Sequence, residues 1–227
     1  MLETERVERL RFAQQRATEL FAAIEQAAIV RPGVGEREAS NAIKALAAEL
    51  LGVEKHWHKR VVRAGINALQ PYHSNPPDRQ IADDDIVYLD LGPVFEEWEA
   101  DFGRTYVIGE DPEKLRLRDT LSVVWAAGRA HFEVSPDITG AQLFAFMVGQ
   151  AESHGYEWGG TIAGHLVGHF PHTDAEGEED YSRIAPANDR PLRGVDSAGN
   201  VAHWILEVHL VDREREIGGF YEELLDL

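Results

Sequence analysis

The chain has 227 residues and a net charge of −18 at pH 7, with 40 acidic and 22 basic residues. This acidity argues against binding to nucleic acid or to an anionic membrane, because both need clustered Lys and Arg. The chain has no cysteine, which excludes disulfides, thiolate metal sites and a cysteine nucleophile. Any metal must therefore be held by His, Asp or Glu.

The first segment, MLETERVERLRFAQQ, is charged and has apolar residues at helical spacing. This pattern is typical of an amphipathic helix and not of a signal peptide. The chain has no run of about 18 apolar residues that would predict a membrane span. We therefore expect a soluble, cytoplasmic protein.

Helices and strands follow one another in two similar groups. Apolar spacing and end signals predict helices over residues 3–29, 36–51, 112–133 and 140–154, the last of them capped by Thr139. Strand-like runs follow each helix pair, at residues 58–69, 85–109, 203–212 and 218–227. This order predicts an α+β fold in which helices cover one face of a curved antiparallel sheet. We expect one domain over residues 1–227, with pseudo-duplicated halves of about 1–110 and 111–227. Residues 171–200 are polar and predict a long surface loop.

Each group ends in a hairpin that carries two acids. In DIVYLDLGPVFEEWEADFGRTYVIG, residues 85–109, Asp90 and Asp101 are 11 residues apart. With a turn near residues 95 and 96, they are expected to face each other on adjacent strands, where Cβ atoms lie about 5 Å apart. Glu207 and Glu222 are expected to face each other in the second hairpin. Buried carboxylates this close repel unless a cation separates them or one is protonated. The pattern predicts a site for two divalent cations.

The stretch GHLVGHFPH supplies three candidate histidine ligands, His165, His169 and His172. A lone histidine is more often a hydrogen-bonded structural group than a ligand. Three within eight residues, beside glycines that allow a close backbone approach, favour a site. The spacing of His165 and His169 also suits a helical zinc site, but Leu166 stands where that motif needs Glu.

Together these segments resemble the five-ligand signature of the pita-bread metallopeptidases. That superfamily contains methionine aminopeptidase, aminopeptidase P, prolidase and creatinase. The stretches that carry the resemblance are VYLDLG, EADFGRTY with its Arg104-Thr105 pair, GHLVGHFPH, ILEV and FYEELL. The resemblance covers nearly the whole chain and implies the pita-bread fold. It implies the following metal ligands, in chain order: Asp90, Asp101, His165, Glu207 and Glu222.

The resemblance also implies the cofactor and further roles. Two divalent ions, Mn, Co, Fe or Zn, would be bound, and Glu207 would shuttle the proton of the attacking water. His73 and His172 would donate hydrogen bonds to the substrate. Arg104 is expected to hold the hairpin and not to touch substrate. Two alternative ligands stay open: His169 in place of His165, and Glu223 in place of Glu222 if the strand register shifts by one.

The implied function is hydrolysis of an N-terminal peptide bond by a dinuclear aminopeptidase or dipeptidase, of the Xaa-Pro or methionine type. Its partner would be a peptide substrate, and a homodimer is also considered. Two departures leave the substrate open: FEEW replaces the usual glycine turn of the first hairpin, and the segment from Glu207 to Glu222 is short. The alternatives are a non-catalytic peptide- or protein-binding module and a hydrolase of a non-peptide amide. Retention of all five candidate ligands favours the enzyme.

Overall fold

The computed structural model of the chain describes residues 1–171 and 179–227. The helices of these residues are α1 Glu3–Gln26, α2 Glu36–Leu51, α3 Pro112–Val134 and α4 Gly140–Ser153. The strands are β1 Val61–Ala64, β2 Ile86–Leu91, β3 Val94–Phe95, β4 Trp98–Glu99, β5 Phe102–Val107, β6 Glu157–Trp158, β7 Gly164–Val167, β8 His203–Asp212 and β9 Ile217–Leu224. Single 3₁₀ turns lie at Gly65–Leu69 and Glu179–Ser182.

Local sequence signals set the helix ends. The Asp111 carboxylate accepts hydrogen bonds from the backbone N–H groups of Glu113 and Lys114 at the start of α3. Thr139 and Gln142 form a reciprocal capping box on α4. Gly52, with φ of 68°, ends α2 in the left-handed conformation that glycine adopts readily. The four predicted helices are confirmed, although α1 ends at Gln26 and not at residue 29.

One antiparallel sheet runs through both parts of the chain. Its strand order is β1-β2-β5-β9-β8-β6, and β7 also pairs with β8. The predicted α+β fold with an antiparallel sheet is therefore confirmed. The pairing of β5 with β9 joins the early strands to the late ones through the residue pair Gly103 and Glu222.

The two faces of the sheet have different surroundings. On β8, Leu206, Val208 and Leu210 are fully buried in a core cluster with residues of α3 and α4. Side chains alternate along a strand, so the intervening Glu207 and His209 lie on the opposite face. A second core cluster joins α1 and α2 to β1 and β2. The helices thus cover one face, and the other face is free to carry polar side chains.

The first hairpin differs from its predicted register. Asp90 lies opposite Gly103, and Asp101 lies just before β5. Residues 92–100 leave the main sheet and form a separate two-stranded ribbon, β3 and β4, whose turn at Glu96 and Glu97 has φ values of 48° and 71°. The expectation that Asp90 and Asp101 are directly opposed is therefore wrong by two residues. In the second hairpin, Glu207 and Glu222 are opposed as predicted.

Of the predicted surface loop at 171–200, residues 172–178 lie outside the described residues, and the described part is not all at the surface. Ile184 and Leu192 are buried in the core cluster of α3 and α4. Asn188 is buried as well, and its side-chain amide donates to the Arg183 carbonyl at 2.8 Å. The two buried apolar residues were not predicted, because the segment around them is mostly polar. Among residues 1–171 and 179–227, every helix is too short or too polar to span a membrane.

Candidate metal centre

The strand register brings four positions into one row across the sheet. Asp90 of β2 pairs with Gly103 of β5, Gly103 pairs with Glu222 of β9, and Glu222 pairs with Glu207 of β8. A Cβ atom at Gly103 would lie 2.6 Å from the Phe220 ring and 3.1 Å from the Glu222 Cβ. Only glycine therefore fits between the acids. Three carboxylates of one face are aligned by hydrogen bonding of the backbone alone.

Asp101 and His165 reach this row from outside it. The His165 Nε2 atom lies 3.0 Å from the Asp101 Oδ2 atom and 3.6 Å from the Glu222 Oε1 atom. Gly164 allows β7 to approach β8 closely, since a Cβ atom there would lie 2.0 Å from the Ile205 carbonyl oxygen. The five residues predicted as ligands thus come together at one place.

A cavity of about 370 Å³ opens over these residues. It has the size and mixed lining that small-molecule sites usually have. The described residues at its wall include His73, Tyr72, Arg183 and His209. His73 therefore lies where the sequence predicts it, in a loop beside the acids. His172, the other predicted hydrogen-bond donor, lies outside the described residues.

The structure separates the alternative ligands that the sequence leaves open. The His169 side chain is 53% exposed, and its Nε2 atom lies 3.7 Å from the Glu97 carboxylate, away from the acid row. The Glu223 carboxylate forms an ion pair with Arg104, whereas Glu222 lines the cavity. These placements favour His165 and Glu222 as ligands.

Arg104 connects β5 to β9 without lining the cavity. One of its N–H groups donates to the Glu222 carbonyl at 2.9 Å, and the guanidinium also pairs with the Glu223 carboxylate. The guanidinium lies over the rings of Phe102 and Tyr221. This placement agrees with the expectation that Arg104 holds the hairpin.

His58 was not predicted, and it lies in the middle of the site. Its Nε2 atom is 3.1 Å from the Asp101 Oδ1 atom and 3.4 Å from the Asp90 Oδ1 atom. The residue precedes β1, in which Val61 pairs with Asp90. His58 could have been predicted only from this long-range pairing, because the pairing places the first residue of β1 beside Asp90.

Burial and mutual repulsion favour protonation of three of the acids. Burial, reinforced by the charge of Asp101 and opposed by His58, raises the pKa of Asp90 to about 7. Burial, with the charges of Asp90 and Asp101 added, raises the pKa of Glu207 to about 8. Burial and the Asp101 charge raise the pKa of Glu222 well above its usual range. Without a cation, these carboxylates retain protons near neutral pH.

Asp101 keeps its charge because both histidines donate to it. Burial alone would raise the pKa of Asp101, but the charge of His58 and hydrogen bonds from His165 and His58 lower it. Burial alone would lower the pKa of His58, but the Asp101 and Asp90 charges raise it to about 9. The pKa of His165 is likewise raised by hydrogen bonds to Asp101 and Glu222, against the effect of burial. In the metal-free chain, the two imidazolium groups supply the positive charge that bound metal ions would otherwise supply.

The residues fit divalent cations. Potential ligand atoms of His58, Asp90 and Asp101 all lie within 4.8 Å of one another, and so do those of Asp101, His165 and Glu222. Asp101 belongs to both groups. The buried Glu222 Oε2 atom has no hydrogen-bond partner among the described residues, although such groups normally have one. Carboxylate and imidazole donors suit Mn, Co, Fe or Zn.

Comparison with known proteins decides the family. Residues 8–219 match the model of metallopeptidase family M24. The chain belongs to metallopeptidase family M24. Among curated relatives, this M24 chain is 28% identical over 151 residues to an Xaa-Pro dipeptidase of Pyrococcus horikoshii, an alignment that covers 66% of this chain and 40% of that protein. It is 26% identical over 141 residues to an uncharacterised peptidase of Bacillus subtilis, covering 62% of this chain and 38% of the relative. The chain thus spans about 40% of the length of these curated relatives.

Solved structures of other M24-like proteins confirm the pita-bread fold of this chain. A prolidase from Thermococcus sibiricus superposes with a TM-score of 0.78 at 21% identity, over 98% of this chain and 57% of the prolidase chain. An X-Pro aminopeptidase from Thermotoga maritima superposes with a TM-score of 0.77 at 21% identity, over 97% of this chain and 58% of the other.

Proposed function

We propose that this M24 chain is a metal-dependent peptidase that hydrolyses the N-terminal bond of short peptides. The observation that carries the proposal is the convergence of Asp90, Asp101, His165, Glu207 and Glu222 at the floor of one cavity. Of the four acids, Asp90, Asp101 and Glu222 are buried and Glu207 is half-buried. Among the described residues, no basic side chain other than histidine lies between them, so they need cations to remain ionised together. We propose that these five residues hold two divalent ions.

Asp101 would hold both ions. Its Oδ1 atom lies beside His58, which also approaches Asp90. Its Oδ2 atom lies beside His165, which also approaches Glu222. When bound, the two ions lower the pKa of water and polarise the peptide carbonyl. Glu207 lies beside Glu222 in the cavity, where it can accept a proton from the attacking water and deliver it to the leaving amine.

The cavity also favours a short substrate with a free amino terminus. The carboxylates at its floor attract an ammonium group and hold it near the reacting bond. His73 lies at the wall, where its imidazole can donate to a substrate carbonyl, and we assign the same role to His172 by resemblance. The exposed side chain of Arg183 at the wall can pair with the carboxylate of a di- or tripeptide.

The relatives support proline as the second residue of the substrate. One curated relative is an Xaa-Pro dipeptidase, and solved structures of similar fold are a prolidase and an X-Pro aminopeptidase. We therefore propose Xaa-Pro peptides as the substrate class. Because the second residue of such a peptide has no N–H group, the site must recognise the bond through its carbonyl and through the amino terminus.

Peptide cleavage by the metal-loaded chain tests this proposal. The chain is stripped with a chelator, reloaded with Mn²⁺ or Co²⁺, and given Ala-Pro, Ala-Pro-Ala, Met-Ala-Ser and N-acetyl-Ala-Pro. We expect cleavage of the free Xaa-Pro peptides, slower cleavage of Met-Ala-Ser, and none of the acetylated peptide. Glu207→Gln should lower turnover by a factor of roughly 10² to 10⁴, the usual contribution of a proton-transfer group.

One outcome would refute the proposed function, and another would refute only the role of Glu207. If the loaded chain binds the free peptides but cleaves none of them, it is a binding module. If Glu207→Gln retains full turnover, the proton-transfer assignment is wrong. Loss of cleavage on removal of metal, restored when metal is returned, separates a metal requirement from damage to the chain.

A further inference from the structure

We propose that His58 is a sixth protein ligand, which binds the same ion as Asp90, so that each of the two ions has one imidazole. The inference rests on the proposed function, since it needs the two ions. The five-residue signature does not include His58, and the residue lies 32 positions before Asp90 in the sequence. The contacts of its own ring carry the assignment.

The atoms around the His58 ring have the spacing of metal ligands. The His58 Nε2 atom lies 3.1 Å from Asp101 Oδ1 and 3.4 Å from Asp90 Oδ1. Ligands bound at about 2.1 Å in a tetrahedral or octahedral arrangement are roughly 3.0 to 3.5 Å apart. His165 shows the same spacing on the other side, with Nε2 3.0 Å from Asp101 Oδ2. Each oxygen of Asp101 therefore has one imidazole nitrogen at ligand spacing.

The rings of His58 and His165 carry a proton on the same nitrogen, Nδ1. The His58 Nδ1 atom lies 2.6 Å from the Lys59 carbonyl oxygen, and His165 Nδ1 lies 2.8 Å from the Leu166 carbonyl oxygen. A carbonyl can only accept, so Nδ1 carries the proton in both rings. This leaves Nε2 to face the acids, which is the arrangement that metal-bound histidines usually have.

The fold fixes the position of the His58 ring. The His58 side chain is only 7% exposed. A Cβ atom at Gly92 would lie 2.4 Å from His58 Nε2 and 2.2 Å from its Cδ2 atom. The neighbouring Trp57 donates from its indole to the Ala100 carbonyl at 3.0 Å, and its ring packs edge-on against His58 at 4.5 Å. The ring is therefore held rigidly in front of Asp90 and Asp101.

The alternative role for His58 is that of a permanent counter-ion. As an imidazolium it would pair with Asp90 and Asp101 and never contact the metal. The two roles predict different preferences of the site among divalent ions. A second imidazole favours ions that bind nitrogen well, such as Co²⁺ and Zn²⁺, over Mn²⁺ and Mg²⁺.

Cobalt titration of three proteins separates the roles. Metal-free wild type, His58→Ala and the control His56→Ala are titrated with Co²⁺, followed by calorimetry and by visible absorption. His56 lies two residues before His58 and is half-buried, and neither candidate ligand group contains it. We expect wild type and His56→Ala to bind two ions. His58→Ala should bind the first ion normally and the second at least tenfold more weakly, with a changed absorption spectrum.

A spectrum of the wild type provides a test that does not depend on the folding of a variant. In Co²⁺-loaded protein with ¹⁵N-labelled histidine, each metal-bound imidazole gives one strongly shifted, exchangeable N–H signal. We expect two such signals, from His58 and His165. A single signal, or a folded His58→Ala variant that binds both ions like wild type, would overturn the assignment of His58 alone. A wild-type chain that binds no cobalt would overturn the proposed function as well.

Discussion

Asp101 is the residue on which the geometry of the site depends. It is buried, it lies outside the regular strands, and each of its oxygens faces a histidine: His58 for Oδ1 and His165 for Oδ2. A carboxylate in this position can bridge two ions, whereas Asp90 faces only one of the two ligand groups.

Substitution of the two aspartates should therefore have unequal effects. We predict that Asp101→Asn weakens the binding of both ions, because an amide supplies one neutral oxygen where two charged ones were shared. Asp90→Asn should weaken one ion and leave the other close to wild type. Calorimetric titration with Co²⁺ measures both affinities. Equal losses in the two variants would contradict a bridging role for Asp101.

Metal binding should also release protons. Because the pKa values of Asp90 and Glu207 are raised to about 7 and about 8, both acids carry protons at pH 6.5 and must lose them to bind a cation. We predict that the heat of Co²⁺ binding at pH 6.5 depends on the ionisation enthalpy of the buffer, with a net release of protons. Affinity should rise as pH increases from 6 to 9. A heat that is the same in all buffers would show that the acids are already ionised.

At the scale of the elements, the junction of β5 and β9 decides whether the acids meet. The two strands pair through Gly103 and Glu222, and Thr105 and Arg104 reinforce them. The Thr105 hydroxyl bonds both the carbonyl and the N–H of Phe220 at 2.8 Å. Arg104 donates to the Glu222 carbonyl. The backbone of a proposed ligand is thus fixed by side chains that do not touch the cavity.

Removal of Arg104 should loosen the site from a distance. We predict that Arg104→Ala lowers the free energy of unfolding by about 2 kcal/mol, the usual contribution of a part-buried hydrogen bond to a charged group. It should also weaken metal binding, because Glu222 is less well held. The control is Arg118→Ala, whose arginine is more exposed and pairs with the adjacent Asp119. Chemical unfolding and metal titration measure the two effects. A destabilised variant with unchanged metal affinity would show that Arg104 does not position Glu222.

How far each element could be predicted depends on whether its information is local. The second hairpin has two long strands and a short charged turn, so the pairing of Glu207 with Glu222 follows from the sequence. The first hairpin is interrupted at Gly92 and Pro93, and residues 94–99 pair with one another. Its register therefore depends on whether these residues pair with one another or continue the main sheet, and no local sequence pattern shows which pairing is the more stable.

The difference between local and long-range information also decides which site residues could be predicted. Of the five signature residues, Asp90, Glu207 and Glu222 stand on predicted strands. The family resemblance adds Asp101, which lies just before β5, and His165 on β7. His58 stands before a four-residue strand, and only the pairing of Val61 with Asp90 brings it to the site. The buried Ile184 and Leu192 were missed for a similar reason, since their core partners on α3 and α4 are distant in sequence.

At the scale of the whole molecule, the acids make the metal-free fold sensitive to pH. Asp90, Glu207 and Glu222 have raised pKa values in the folded chain. Protonation of such groups stabilises the fold fully below their unfolded pKa values, near 4, and this contribution is lost as pH rises through the folded values. His58, with its pKa raised to about 9, acts in the same direction. Asp101 acts oppositely, but its lowered pKa matters only below about pH 4.

We therefore predict that the melting temperature of the metal-free chain falls between pH 5.5 and pH 9. With saturating Co²⁺ the fall should be smaller or reversed, because metal binds the deprotonated acids and stabilises the folded state. Differential scanning calorimetry at several pH values measures both curves. Parallel curves with and without metal would mean that the titrating acids are not the ligands.

Anomalous diffraction from a crystal of the chain grown with Co²⁺ tests the proposed metal site most directly. We expect two anomalous peaks at the floor of the cavity, both within bonding distance of Asp101. One should also contact Asp90 and the other His165. The opposite result is a crystal grown in saturating Co²⁺ that shows no peak beside Asp101, or peaks only at other places on the molecule. That result would mean that this row of acids does not bind metal.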